Sequence, residues 1–109
     1  MKQLNFNNVT KRYLTVTFSD EKSTTIMVGL PTKAILTELI DLNSRVKAVD
    51  NDFDILDELY EVCAKIMSRN KAGMKITREF IEDTLDFDDI IIFLRDYTSF
   101  ISEVVSSKN

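Results

Sequence analysis

The segment Asp86 to Val105 constrains this chain most, because its apolar residues recur with helical spacing and nearly encircle the helix they form. Ile90, Phe93, Tyr97, Phe100 and Val104 make one stripe, and Leu94, Ile101 and Val105 widen it. Ile91 and Ile92 spill beyond both edges. A helix packed on one side of a small domain needs an apolar stripe of only about 100° or a little more. The surplus is more than one small core absorbs, so the segment predicts both a core-forming helix and a protein partner.

The rest of the sequence sets the size of that core. A chain of 109 residues with 44% hydrophobic content is read as one domain, spanning 1–109, with enough apolar surface for a single core. Two glycines and one proline leave long stretches uninterrupted, which favours helix. The net charge of -4 gives no global field for nucleic acid or an anionic membrane. The lone Cys63 excludes an internal disulfide. The N-terminal residues lack an apolar signal core, and the run Ile90 to Leu94 is far short of the ~20 residues that span a bilayer. A cytoplasmic location is the expectation.

The hydrophobic period changes along the chain. From Arg12 to Phe18 it is two, with Leu14, Val16 and Phe18 on one side and Tyr13, Thr15 and Thr17 on the other. Ser23 to Val28 is a second strand, and Ser19 to Lys22 is a four-residue turn between them. Leu4 and Phe6 are read as a short third strand. A two-stranded ribbon is marginal alone, so it must lie on the helices or pair with another copy. After Gly29, Pro31 suits the first turn of a helix. Ile35, Leu39, Leu42, Val46 and Val49 then step at helical spacing, supported by Leu36 and Ile40.

Asp50, Asn51 and Asp52 break that stripe and offer N-caps. A second helix is predicted over Phe53 to Arg69, with Leu56, Leu59, Cys63 and Ile66 on one face and Ile55, Tyr60, Val62 and Met67 broadening it. Asn70 to Gly73 is a helix stop, with Gly73 left-handed. Thr77 caps a short third helix whose apolar side is Phe80, Ile81, Thr84 and Leu85. Asp86, Asp88 and Asp89 complement the dipole of the fourth. Whether the third and fourth helices are separate or one kinked helix stays open. The fold class is therefore α+β, mainly α: an N-terminal β-hairpin over about 11–28 and about four helices over about 31–105.

Chemistry is poorly represented. Asp50, Asp52, Asp54 and Glu61 match acidic positions of a calcium loop, but Ile55 stands where that loop turns sharply on glycine, and the helical stripe runs straight through. A cap and a solvated acidic first turn explain these residues better. Lys65, Arg69, Lys71, Lys75 and Arg78 form a local basic cluster without an interleaved aromatic for base stacking. No histidine is present, so Cys63 has no imidazole base, and its place on an apolar face suits a small hydrophobe. With no glycine-rich phosphate loop and no metal-ligand spacing, a non-enzyme without cofactor or metal is the expectation.

The hairpin Lys11 to Phe18, the segment Leu30-Pro31-Thr32-Lys33, and the stretch Ile66 to Thr77 leading into Phe80, Leu85 to Asp89 and Phe93 together resemble a known family. The pattern is similar to the small tail assembly chaperones of long-tailed phages and prophages of Gram-positive bacteria, over Lys11 to about Ile101. The resemblance implies a helical, self-associating protein that coats the tape measure protein before the tail tube polymerises. It further implies absence from the mature virion, and a frameshifted longer form. A long helical partner would suit helix-in-groove recognition. Candidate partner-binding residues are Ile91, Leu94, Ile101 and Val105 on the last helix, with Tyr13 and Met27 on the hairpin; core packing is the competing reading for each. Neither nucleic acid nor membrane is an expected partner. The alternatives are a structural phage protein (head–tail connector or tail completion), a small regulatory or nucleic-acid-binding domain, and a calcium sensor.

Overall fold

The computed structural model describes residues 3–48 and 53–106. A short 3-10 turn at Phe6–Asn8 precedes an antiparallel hairpin of β1 (Leu14–Thr17) and β2 (Thr25–Val28). Four helices follow: α1 (Lys33–Ala48), α2 (Phe53–Met67), α3 (Arg78–Thr84) and α4 (Phe87–Ser106). The fold is α+β and mainly α.

The hairpin pairs Leu14 with Val28 and Thr17 with Thr25. Its period-two pattern sorts the faces: Phe18, Ile26 and Val28 are buried, while Thr15, Thr17 and Thr25 are exposed. The connection is longer than a four-residue turn. The Asp20 carboxylate accepts from the Thr24 amide (2.7 Å) and hydroxyl (2.5 Å), and Ser23 adopts φ 49° inside the loop. Leu4 and Phe6 form no third strand. Asn5 caps the Asn7 amide at 3.0 Å and turns the chain, leaving Leu4 and Phe6 exposed.

The ribbon gains its third edge from a distant segment. The Gly29 amide donates to the Arg69 carbonyl (2.8 Å), and the Lys71 amide donates to the Met27 carbonyl (2.9 Å). Strand β2 thus lies between β1 and the chain leaving α2. That chain is shaped by Asn70, which is buried. Its Nδ2 donates to the carbonyls of Met67 (2.9 Å) and Met74 (2.6 Å), and its Oδ1 accepts from the Met74 amide (2.9 Å). Ser68 holds the far side of the loop by two bonds to the Ile76 backbone, at 3.0 and 3.1 Å. Helix α2 ends at Met67, before Arg69: the Arg69 amide tightens onto the Ile66 carbonyl (3.0 Å), and the Asn70 side chain takes the Met67 carbonyl. Gly73 is left-handed (φ 71°), but it closes the turn from Asn70 and does not terminate the helix directly.

Caps set the other helix ends. Thr32 caps α1: its Oγ1 accepts from the Ile35 amide at 3.3 Å and its carbonyl from Leu36 at 2.9 Å. Pro31 therefore stands before the cap and not within the first turn. Thr77 caps α3 through the Phe80 amide (3.1 Å). Asp86 and Asp89 cap α4 reciprocally, each carboxylate accepting the other's amide, at 2.9 and 3.0 Å. Helices α3 and α4 are separate. Val49 and the predicted caps Asp50, Asn51 and Asp52 lie outside the described residues, as does the Val46 side chain.

Helix α2 is the hub. It packs on α1, α3, α4 and β2, and buries Ile55, Leu59, Val62, Cys63, Ala64, Ile66 and Met67. From α4 the predicted stripe arrives intact, with Ile90, Phe93, Tyr97 and Phe100 buried. Phe93 stacks on Tyr97 at 5.6 Å between centroids, and Phe18 meets Phe80 edge-on at 5.1 Å. The buried Tyr97 hydroxyl crosses to the hairpin and donates to the Gly29 carbonyl at 2.8 Å. The molecule measures 57 × 35 × 20 Å, so its thin dimension is about two helix diameters. Helix α2 is the most central element, yet its outer edge, Asp57, Glu58, Glu61 and Lys65, stays exposed.

Two expectations follow. Asn70→Ala removes three hydrogen bonds and leaves the carbonyl of the buried Met67 without this partner, and chemical denaturation should show a loss of about 1–3 kcal/mol. Burial raises the Cys63 thiol from 9.0 to about 12, and the Tyr97 phenol from 10.0 to about 12. Below about pH 9 both groups keep their protons whether folded or unfolded, so linkage is flat. Above it the thiol, and then the phenol, ionises only in the unfolded chain. Stability should fall toward pH 12 by about 1.4 kcal/mol per pH unit for each group engaged. Denaturation across this range should show a shallower fall for Cys63→Ala.

Candidate functional site

Helices α1 and α4 each lie against α2, and between them runs an open groove of about 650 Å³. Leu36, Leu39 and Ile40 line it from α1; Ile91, Leu94 and Ile101 line it from α4; Leu59 of α2 lies between. Leu39 and Leu59 are buried, Leu36, Leu94 and Ile101 are half-buried, and Ile40 and Ile91 are 60% and 41% exposed. Apolar exposure therefore rises from floor to rim, as in a surface built to receive another apolar face.

The helical repeat creates this arrangement. On α4, Ile90, Phe93, Tyr97 and Phe100 turn into the core, which leaves Ile91, Leu94 and Ile101 on the adjoining flank. On α1, Leu39 and Leu42 are buried, and Leu36 and Ile40 flank them. The polar margin is made of Asn43 and Ser44 on one side and Arg95, Thr98, Ser99 and Ser102 on the other. These are mostly small or uncharged, and the Thr98 hydroxyl is engaged with its own helix at the Leu94 carbonyl (2.8 Å). Arg95 is the one charged residue on that margin.

The structure brings together three of the sequence-predicted contact residues, Ile91, Leu94 and Ile101, and separates the others. Val105 is exposed near the end of α4, and Met27 is exposed on the hairpin. Tyr13 lines a different cleft, at the open end of the hairpin. Leu36, Leu39 and Ile40 of α1 and Leu59 of α2 were not predicted as contacts; the sequence signal for the α1 residues is the breadth of that helix's stripe, and Leu59 reads as core.

The remaining candidates are absorbed by structure. The basic cluster disperses. Lys65 pairs with Glu38 (2.9 Å), and Arg78 forks between Asp57 (2.7 Å), Glu61 (3.5 Å) and Glu82 (3.5 Å). Arg45 ties α1 to α2 through Glu58. These pairs are exposed, so each adds little stability while fixing helix register. Asp57 and Glu61, positions of the candidate calcium loop, stand on α2 and face Arg78; Asp50 and Asp52 lie outside the described residues. Cys63 is buried with its thiol pushed up to about 12, which keeps it protonated and unreactive. Among the described residues, no three His, Cys, Asp or Glu side chains are grouped to hold a metal ion, and no helix is long and apolar enough to cross a membrane. Comparison with protein-family models, curated proteins and solved structures yields no match.

If the groove is open, polarity at its rim is tolerated and polarity at its floor is not. Ile40→Asp and Ile91→Asp should each shift stability by less than about 1 kcal/mol. Leu59→Asp should cost several kcal/mol by burying a charge. Thermal and urea denaturation of the three variants distinguishes these outcomes.

Proposed function

We propose that this protein is a non-catalytic binding module that receives an amphipathic helix of a protein partner in the α1–α4 groove. The observation that carries this reading is the exposure of Ile40 and Ile91 on opposite walls of one apolar channel. Covering those walls removes apolar surface from water at about 25 cal/mol per Å², without any chemistry. An incoming helix would present anchors at i, i+3 or i+4, and i+7, and would complete a layer that the fold leaves open.

The resemblance of Lys11 to about Ile101 to phage tail assembly chaperones supplies the partner. In that reading the occupant is a helical stretch of the tape measure protein, held soluble in the bacterial cytoplasm until the tail tube polymerises. The groove supports this through its shape and its apolar lining; the resemblance supports the identity of the occupant. Self-association through the same type of contact fits the remaining exposed apolar side chains, among them Ile92 and Val105.

Co-expression with a tape measure protein tests the proposal. The wild-type chain should keep the partner in the soluble fraction and co-purify with it. Ile40→Asp and Ile91→Asp should lower the affinity at least about tenfold while remaining folded, which corresponds to about 1.4 kcal/mol. Undiminished co-purification with both variants would place the contact elsewhere.

A further inference from the structure

A second cleft, of about 690 Å³, opens at the end of the hairpin away from its turn, between the segment entering β1 and the connection from β2 to α1. Lys11, Arg12 and Arg69 line it, together with Tyr13 and Gly29, and no acidic side chain does. This is unexpected in a chain whose net charge is -4. Lys71 stands over the Tyr13 ring, 5.9 Å from its centroid, and adds a fourth cation beside the cleft.

Lys11, Arg69 and Lys71 stand apart from the cations that bridge the helices. Arg45, Lys65 and Arg78 each meet a carboxylate. Among the described residues, no carboxylate lies within ion-pair distance of Lys11, Arg69 or Lys71. Arg69 is also held in place. Its carbonyl accepts from Gly29 (2.8 Å), and its Nε donates to the Leu30 carbonyl (3.0 Å), which leaves the Nη hydrogens for another acceptor. The Tyr97 hydroxyl secures Gly29 from below. The cleft is therefore assembled from the hairpin, the turn after α2 and α4, and little ordering is left for binding to cost.

We propose that this cleft is a carboxylate-binding site that takes an acidic segment of a protein partner. Arg69 offers the fork geometry that matches a carboxylate, and Lys11 supplies further charge. A peptide fits better than a nucleic acid. Lys71 already sits over one face of the Tyr13 ring, and a long polyanion would meet the negative charge of the rest of the molecule. The inference is independent of the α1–α4 groove and stands whether or not that groove binds a helix.

The test is fluorescence anisotropy of a fluorescein-labelled hexaglutamate peptide titrated with the full chain, with oligothymidylate and inorganic phosphate as competitors. The expected result is saturable binding that weakens with salt, falls at least about tenfold in the Lys11→Glu, Arg12→Glu double variant, and is unchanged in Lys22→Glu at the far end of the hairpin. If the double variant unfolds, Lys11→Gln and amide shifts of Gly29 and Arg69 on adding the peptide replace it, with weakened binding and shifts at both amides expected. Absence of saturable binding, equal binding in the cleft variants, amide shifts confined to other regions, or tighter binding of oligothymidylate or phosphate than of hexaglutamate would each overturn the proposal.

Discussion

The pairing of Gly29 and Met27 with Arg69 and Lys71 is the contact on which the rest of this structure depends. A two-stranded ribbon has too little cross-strand surface to persist in water. Here it is clamped from both sides: β1 on one edge, and the turn after α2 on the other. Asn70 makes the clamp possible by satisfying the backbone groups freed where α2 ends. The Tyr97 hydroxyl then ties α4 to the Gly29 carbonyl. One short segment thereby joins the hairpin, the central helix and the last helix, and both candidate binding surfaces depend on it. The cleft is built directly around Gly29 and Arg69, while the groove depends on α4 being held against α2.

The two surfaces follow from one geometric limit. In a molecule about two helices thick, α2 packs against α1, α3 and α4 and still keeps one edge in solvent. Helices α1 and α4 can bury only the faces they turn inward. Their flanking residues, Ile40 on α1 and Ile91 on α4, are then left facing each other across open space. Asp57, Glu61 and Glu82 pair with Arg78, Glu58 pairs with Arg45, Asp86 and Asp89 cap α4, and the one thiol is buried.

Much of this was legible in the sequence, for reasons local to each element. Alternation gave the hairpin faces, and the buried set Ile90, Phe93, Tyr97 and Phe100 was readable from helical spacing alone. Thr77 and Asp86 announced the helix starts. The sequence pattern misled where a local signal had no tertiary support. Leu4 and Phe6 alternate, but Asn5 turns the chain there; Pro31 suits a first turn, but Thr32 is the cap. The role of α2 as hub was hidden because α2 and α4 are both broadly apolar, and only packing decides which is central. The bonds between residues 27–29 and 69–71 span about forty positions and carry no local mark. The groove was half visible: Ile91, Leu94 and Ile101 stood out as surplus, whereas their counterparts on α1 read as core until the angle between the helices was known. The charged cleft was invisible for the same reason, since Lys11 and Arg69 meet only in three dimensions.

The account rests on the claim that the space between α1 and α4 is a binding surface and not a gap that closes in solution. The most direct measurement is a backbone amide NMR titration of the chain with a helical segment of the proposed partner, a tape measure protein. Shift changes gathered on residues 36–44 of α1 and 91–102 of α4, with the hairpin unmoved, are the result the account predicts. Shifts gathered on any other face, or none at saturating peptide, would contradict it.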